Sequence, residues 1–279
     1  LQVTYDPVIF RHLGKIVIPF AFAAVFARVY SYIDSLLLKQ LAGDIAVGWY
    51  AIPYKITYAF QFIPLALVAA MYPRFSEYFV SNKERLAYIF QQGMKYLFII
   101  AFPVATGIAI LSEDIILFLY PAEYVHSIMP LRILIGSLIF SYISFPIGAF
   151  LNACNKQVTQ TVIVGIVMII NIILNIILIP LYGVVGAASS AFVGNVLLAA
   201  LGYMIIPRVI TVSHTFLLKT VLQVACAAGV MGGVVWYING LTHFVFAILA
   251  GIIIYPSMLF LVRAVNKRQL TEAFLLVKK

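Results

Sequence analysis

Eight stretches of this chain are long and apolar enough to cross a bilayer, and they limit the fold more than any motif does. They run at about 13–38, 46–71, 93–111, 128–151, 158–180, 184–206, 217–238 and 241–263. A hydrocarbon layer about 30 Å thick takes roughly 20 apolar residues as a helix. Only helices or closed barrels satisfy their backbone polar groups inside it. These runs lack the two-residue alternation of barrel strands, so they are helices. Composition agrees, since 64% of the 279 residues are hydrophobic and 10% are charged, against about 25% charged in soluble domains. The expected fold class is an all-α integral membrane protein with eight transmembrane helices.

Charges in the connections test that count. With a cytoplasmic N-terminus, the inner segments collect Arg11, Lys15, Arg74, Lys83, Arg85, Lys95, Lys156, Arg208, Lys219 and the basic residues after 262. The outer segments hold Lys39 with the acids Asp44, Glu113, Asp114 and Glu123. This positive-inside bias places both termini in the cytoplasm of a cell-membrane protein. It also accounts for the net charge of +9 better than a nucleic-acid footprint does, because the cations are spread over every inner loop. No nucleic-acid partner is expected; membrane lipids are. Segments 81–96 and 266–279 read either as amphipathic helices on the inner leaflet or as solvated loops touching lipid phosphates.

Little here suggests chemistry. His12, His126, His214 and His243 sit at span ends and form no cluster, and Cys154 and Cys226 are far apart, as packing residues are. No phosphate-binding loop, zinc motif or nucleophile elbow occurs. The expectation is a protein that is not an enzyme, with no cofactor and no metal. The chain lacks an initiator Met and a signal peptide and reads as a fragment of a longer protein.

Arg28, Asp34, Lys55 and Arg132 remain inside the apolar runs. Together they cost on the order of 10 kcal/mol in lipid, so they must face protein or water. Arg28, Ser31, Tyr32, Ser35 and Lys39 share one helical face, with Asp34 beside it. Asp34 has no partner at helical spacing, so its partner should come from another helix, Lys55 first and Arg132 second. On the next helix Tyr50, Tyr54, Tyr58 and Gln61 share a face, with Lys55 alongside. That wall suits a sugar or phosphate ligand, or else packs helices with its hydroxyls satisfied by neighbours. Three cations against one acid favour an anionic substrate such as a phosphate-bearing lipid. Asn171 and Asn175, one turn apart, either bond another helix or line a cavity. Prolines inside the runs mark bends. Small residues four apart, Gly186-Ser190-Gly194 and Ala225-Gly229-Gly233, mark close helix contacts.

YIDSLLLKQLAGDIAVGWYAIPYKITYAFQFIPLALVAAMYPRFSEYF resembles the segment opening the second half of polysaccharide-export flippases of the MOP superfamily. NIILNIILIPLYGVVGAASSAFVGN (171–195) is similar to the same family's asparagine-rich helix and the turn after it. The resemblance implies that residues 1–210 form second-lobe helices of such a transporter and 211–279 an extra helix pair with an amphipathic tail. It implies flipping of a polyprenyl-diphosphate-linked glycan from inner to outer leaflet by alternating access, by a protein that is monomeric at full length and whose N-terminal lobe lies upstream. Arg28, Lys55 and Arg132, with Tyr54, Tyr58 and Gln61, would bind the substrate. Asp34 and Lys39 would serve coupling or gating, and Asn171 and Asn175 would be structural. A multidrug or cation antiporter and a lipid II flippase are the rival readings.

Overall fold

A computed structural model describes residues 7–264, and among the described residues the regular structure is entirely helical. The order is α1 (Pro7–Ala59), α2 (Phe62–Ser81), α3 (Lys83–Ile110), α4 (Ser112–Leu119), a 3-10 turn (Ala122–Ser127), α5 (Ile128–Ala153), α6 (Gln157–Tyr182), α7 (Val184–Ile205), α8 (His214–Leu241) and α9 (Phe244–Leu261). The tail expected at 266–279 lies outside the described residues.

Helix α1 is really a hairpin. Gly43 has φ 86° and ψ 176°, a backbone state open to glycine and strained for other residues. Beyond it, Tyr50 bonds Asp34 and Tyr54 bonds Ser31. As one limb advances the other recedes, so the limbs are antiparallel. Among the described residues, seven helical stretches are long and apolar enough to span a membrane. The first, Phe20–Ser81, doubles back at Gly43 and supplies the eighth crossing. The second crossing thus runs to Ser81 instead of stopping near 71.

Three prolines show how breaks in these helices are used. Proline cannot donate to the carbonyl four residues before it, and an orphaned carbonyl in the membrane needs another donor. Pro53 frees the carbonyl of Trp49, which accepts from Ser127 Oγ at 2.7 Å. Pro64 frees Phe60, which accepts from the Tyr142 hydroxyl at 2.7 Å. Pro103 frees Ile99, which accepts from the Tyr255 hydroxyl at 2.6 Å. Each break becomes a polar anchor between helices.

The segment 81–96 is neither a surface helix nor a loop. Asn82 caps α3 by accepting from the Arg85 amide at 2.9 Å, and the helix then runs unbroken to Ile110. Its first turns bury Leu86, Phe90, Met94 and Lys95. Phe75, Phe90 and Phe150 join α2, α3 and α5 there, with ring centroids 5.0–6.4 Å apart. The charges of this segment mark the end of a span.

The two small-residue ridges separate. On α7, a Cβ at Gly186 would strike the carbonyl oxygen of Leu178, and one at Gly194 the hydroxyl of Tyr30. That ridge lets α6 and α1 approach. On α8, Gly229 and Gly233 face open space, so the second ridge is not a helix contact. There Gly232 makes the close approach, to Thr106 and Ile110 on α3.

Candidate functional site

Asp34 is the buried charge around which the polar residues gather. It is 4% exposed on the first limb of α1. Its carboxylate accepts from the Tyr50 hydroxyl at 3.1 Å and from the Asn175 amide at 2.7 Å. Asn175 also donates to the carbonyl of Asn171 at 2.9 Å within α6, so Asn175 bonds α6 to α1 while Asn171 braces it from one turn back. Neither Lys55 nor Arg132 reaches Asp34, and the ion pair expected from sequence does not form. The reason is azimuth. Lys55 is exposed on the second limb, while Tyr50 on the same limb turns inward.

A polar chamber of about 90 Å³ opens beside Asp34, lined by Tyr50, Tyr54, Thr57, Tyr58 and Gln61 from the second limb. The tyrosines form one row as their spacing predicts, with Tyr50 and Tyr54 tilted at 31° and centroids 6.1 Å apart, and Tyr54 and Tyr58 stacked at 6.0 Å. Tyr54 donates to the Ser31 carbonyl at 3.2 Å. Sequence reasoning missed Tyr30, Ser137 and Asn195, which complete the wall. Tyr30 donates to Asn195 at 3.4 Å, and Asn195 donates to Ser137 at 3.1 Å. The signal available was three polar groups inside otherwise apolar runs.

The remaining cations lie elsewhere. Arg28 is exposed; its guanidinium bonds the Tyr32 hydroxyl at 3.3 Å and lies 5.8 Å from the centre of that ring. The hairpin register sets Arg28 level with Tyr58 and within a turn of Lys55. Both cations are on the outer surface of the hairpin, roughly 22 and 18 Å from Gly43 along it. Neither lines the chamber, so the basic cavity expected from three cations against one acid is corrected to one whose charged lining residue is Asp34 itself. Arg132 stands at the Gly43 end, donating to Ser112 Oγ at 2.7 Å with Glu113 at 3.9 Å. It clamps α5 to α4. Lys39 pairs with Asp44 at 3.3 Å across the hairpin turn, away from Asp34.

Among the described residues no three His, Cys, Asp or Glu side chains converge as metal ligands. A carboxylate with neutral partners and amide oxygens nearby can take up one positive charge, a proton or a monovalent ion. Separately, an apolar groove of about 470 Å³ runs between α3, α8 and α9, lined by residues such as Val104, Met231 and Ile252.

A family profile described as MatE matches residues 19–177. Two curated proteins of Haloferax volcanii are similar in sequence. The "Probable low-salt glycan biosynthesis flippase Agl15" is 25% identical over 162 residues, covering 58% of this chain and 34% of the relative. The "Probable flippase AglR" is 27% identical over 190 residues, covering 65% of this chain and 39% of the relative. The chain therefore spans well under half the length of either. Among solved structures, lipid II flippase MurJ in an inward closed conformation aligns with a TM-score of 0.72 at 19% identity, over 94% of this chain and 57% of that one. An outward-facing multidrug resistance MATE family transporter gives 0.57 at 15% identity, over 88% and 64%. At these identities the structural likeness concerns the fold.

Proposed function

This chain belongs to the MatE family of the MOP superfamily, and from that premise we propose that it is part of a flippase for polyprenyl-diphosphate-linked oligosaccharide. The observation that carries the reading is the exposure of Arg28 and Lys55 together on one hairpin, at distances from its turn that fall inside a hydrocarbon layer about 30 Å thick. A lone cation there costs about 2.5–3.5 kcal/mol in lipid, so the face is suited to water and a polyanion. A diphosphate would accept charge-assisted bonds from both side chains. Tyr54, Tyr58 and Gln61 offer ring faces and an amide to the first sugars, and the apolar groove of α3, α8 and α9 could hold prenyl chain. The similarity to two glycan-biosynthesis and flippase relatives points the same way.

Asp34 is the coupling group in this reading. Its uptake and release of a small cation would change the hydrogen bonds it accepts from Tyr50 and Asn175, biasing α1 against α6 between two arrangements. The basic connections gather at the Asn82 end of the bundle, which the positive-inside bias assigns to the cytoplasm.

The test is export of a defined lipid-linked oligosaccharide by the full-length gene in a flippase-deleted strain. Arg28→Gln with Lys55→Gln should lower export at least about ten-fold, the loss of roughly one charge-assisted contact, at unchanged membrane abundance. Arg132→Gln, which loosens a clamp between α4 and α5, should leave export near wild type. Wild-type export from the Arg28/Lys55 variant would remove this function.

A further inference from the structure

We propose that the small cation taken up by Asp34 reaches it from the Asn82 end through a hydrated passage inside this bundle, between α1, α5, α6 and α7, and not along the face that carries Arg28 and Lys55. The inference rests on the coupling role of Asp34 proposed above. Two cavities carry it. The chamber beside Asp34 shares Tyr30, Ser31, Gln61 and Asn195 with a second cavity of about 330 Å³. That vestibule continues past Ser141 and Ser144 on α5 to Gln160 on α6. Gln160 lies in the first turn of α6, beside the α5–α6 connection, so the vestibule extends to the Asn82 end. Hydroxyls and amides along it give water the several polar partners it needs.

The opposite direction is closed. Between Asp34 and the Gly43 turn lies a cluster of Leu38, Tyr50, Leu134, Ile179 and Ala187, each no more than 4% exposed. Such packing leaves no wet path. Access to Asp34 is therefore one-sided in this conformation.

The shared residues also form a constriction. Tyr30 sits against Gly194, where a Cβ would strike its hydroxyl. It bonds Asn195, which in turn bonds Ser137, linking α1, α7 and α5 across the junction of the two cavities. Breaking that bridge should widen the passage, and filling the vestibule should shut it.

The experiment reads accessibility to a cationic, membrane-impermeant methanethiosulfonate in membranes of defined sidedness, using the full-length protein with every native cysteine, Cys154 and Cys226 among them, replaced by alanine. Asp34→Cys should react from the Asn82 side alone. Adding Asn195→Ala should speed that reaction about five-fold, as loss of one hydrogen bond implies, and adding Ser144→Trp should slow it by at least as much. Ser144→Cys and Gln160→Cys, made with Asp34 intact, should react from the same side, which keeps the test decisive if Asp34→Cys does not fold. Reaction of Asp34→Cys from the Gly43 side, or indifference to Ser144→Trp, would overturn the passage. Unreactive cysteines at both 144 and 160 would do so as well. Labelling does not depend on cargo, so this result and the export assay can fail separately.

Discussion

Tyr50 donates a hydrogen bond to Asp34 at 3.1 Å across the Gly43 hairpin. Asn175 reaches the same carboxylate from α6 at 2.7 Å, so among the described residues a buried charge is held by two neutral donors and no cation. Such an acid is stable only while both donors stay in place. Asn175→Ala should destabilise the protein by about 1–3 kcal/mol, the cost of leaving a buried polar group unpaired, read as a lowered thermal midpoint in detergent. Asp34→Asn removes the charge that needs the donor. The double variant should then lose less stability than the sum of the two single changes. Strict additivity would mean that Asn175 does not serve Asp34.

The eight crossings were legible because span length follows from bilayer thickness. The tyrosine stack was legible because a four-residue repeat fixes one face of one helix. The partner of Asp34 was not, since sequence carries no information on how α1 and α6 are rotated towards each other. Asn175 is 141 residues away, and an asparagine pair in an apolar run reads as structural without naming the residue that it bonds. Charge also misled: ionised groups in lipid invite pairing with one another, whereas neutral donors suffice for a carboxylate. For Gly229 and Gly233 the same blindness to azimuth turned an exposed face into an expected contact.

The glycine ridges should differ in their tolerance of a methyl group. At Gly186 an added Cβ meets backbone of α6 that cannot rotate away. Gly186→Ala is expected to cost about 1–3 kcal/mol as overpacking. Gly229 meets nothing, and alanine there should be neutral or stabilising by up to about 1 kcal/mol through helix propensity. Unfolding midpoints of the two variants, measured side by side, check the ranking. Equal effects would place α7 and α8 wrongly.

Cys154, just beyond the end of α5, is fully buried. Burial pushes its thiol up to about 11, offset in part by the charge of Lys83. Reaction with maleimide needs thiolate, so at pH 8 only about one molecule in a thousand is competent even before access is considered. Labelling should be negligible at pH 7–8 in the folded protein. It should appear on denaturation, where the thiol returns towards its ordinary value near 8.5. The test is mass spectrometry of the peptide carrying Cys154 before and after unfolding. Rapid labelling of the folded protein at pH 7 would contradict its burial.

Pro103 and Tyr255 offer a sharper test, because their helices, α3 and α9, are distant in sequence. Pro103 withholds the N–H that would have satisfied the Ile99 carbonyl, and the Tyr255 hydroxyl takes the place at 2.6 Å. Tyr255→Phe keeps the ring and orphans a carbonyl inside the membrane, which should cost about 1–2 kcal/mol. In a Pro103→Ala background the alanine N–H can donate to Ile99, closing the helical ladder, so the same Tyr255→Phe change should cost much less. The expected coupling is therefore large for two residues that need not touch. It would be read from detergent unfolding of the four proteins in the cycle. A Tyr255→Phe penalty that is the same with proline or alanine at 103 would show that the hydroxyl stabilises α9 by some route other than the carbonyl that proline leaves bare.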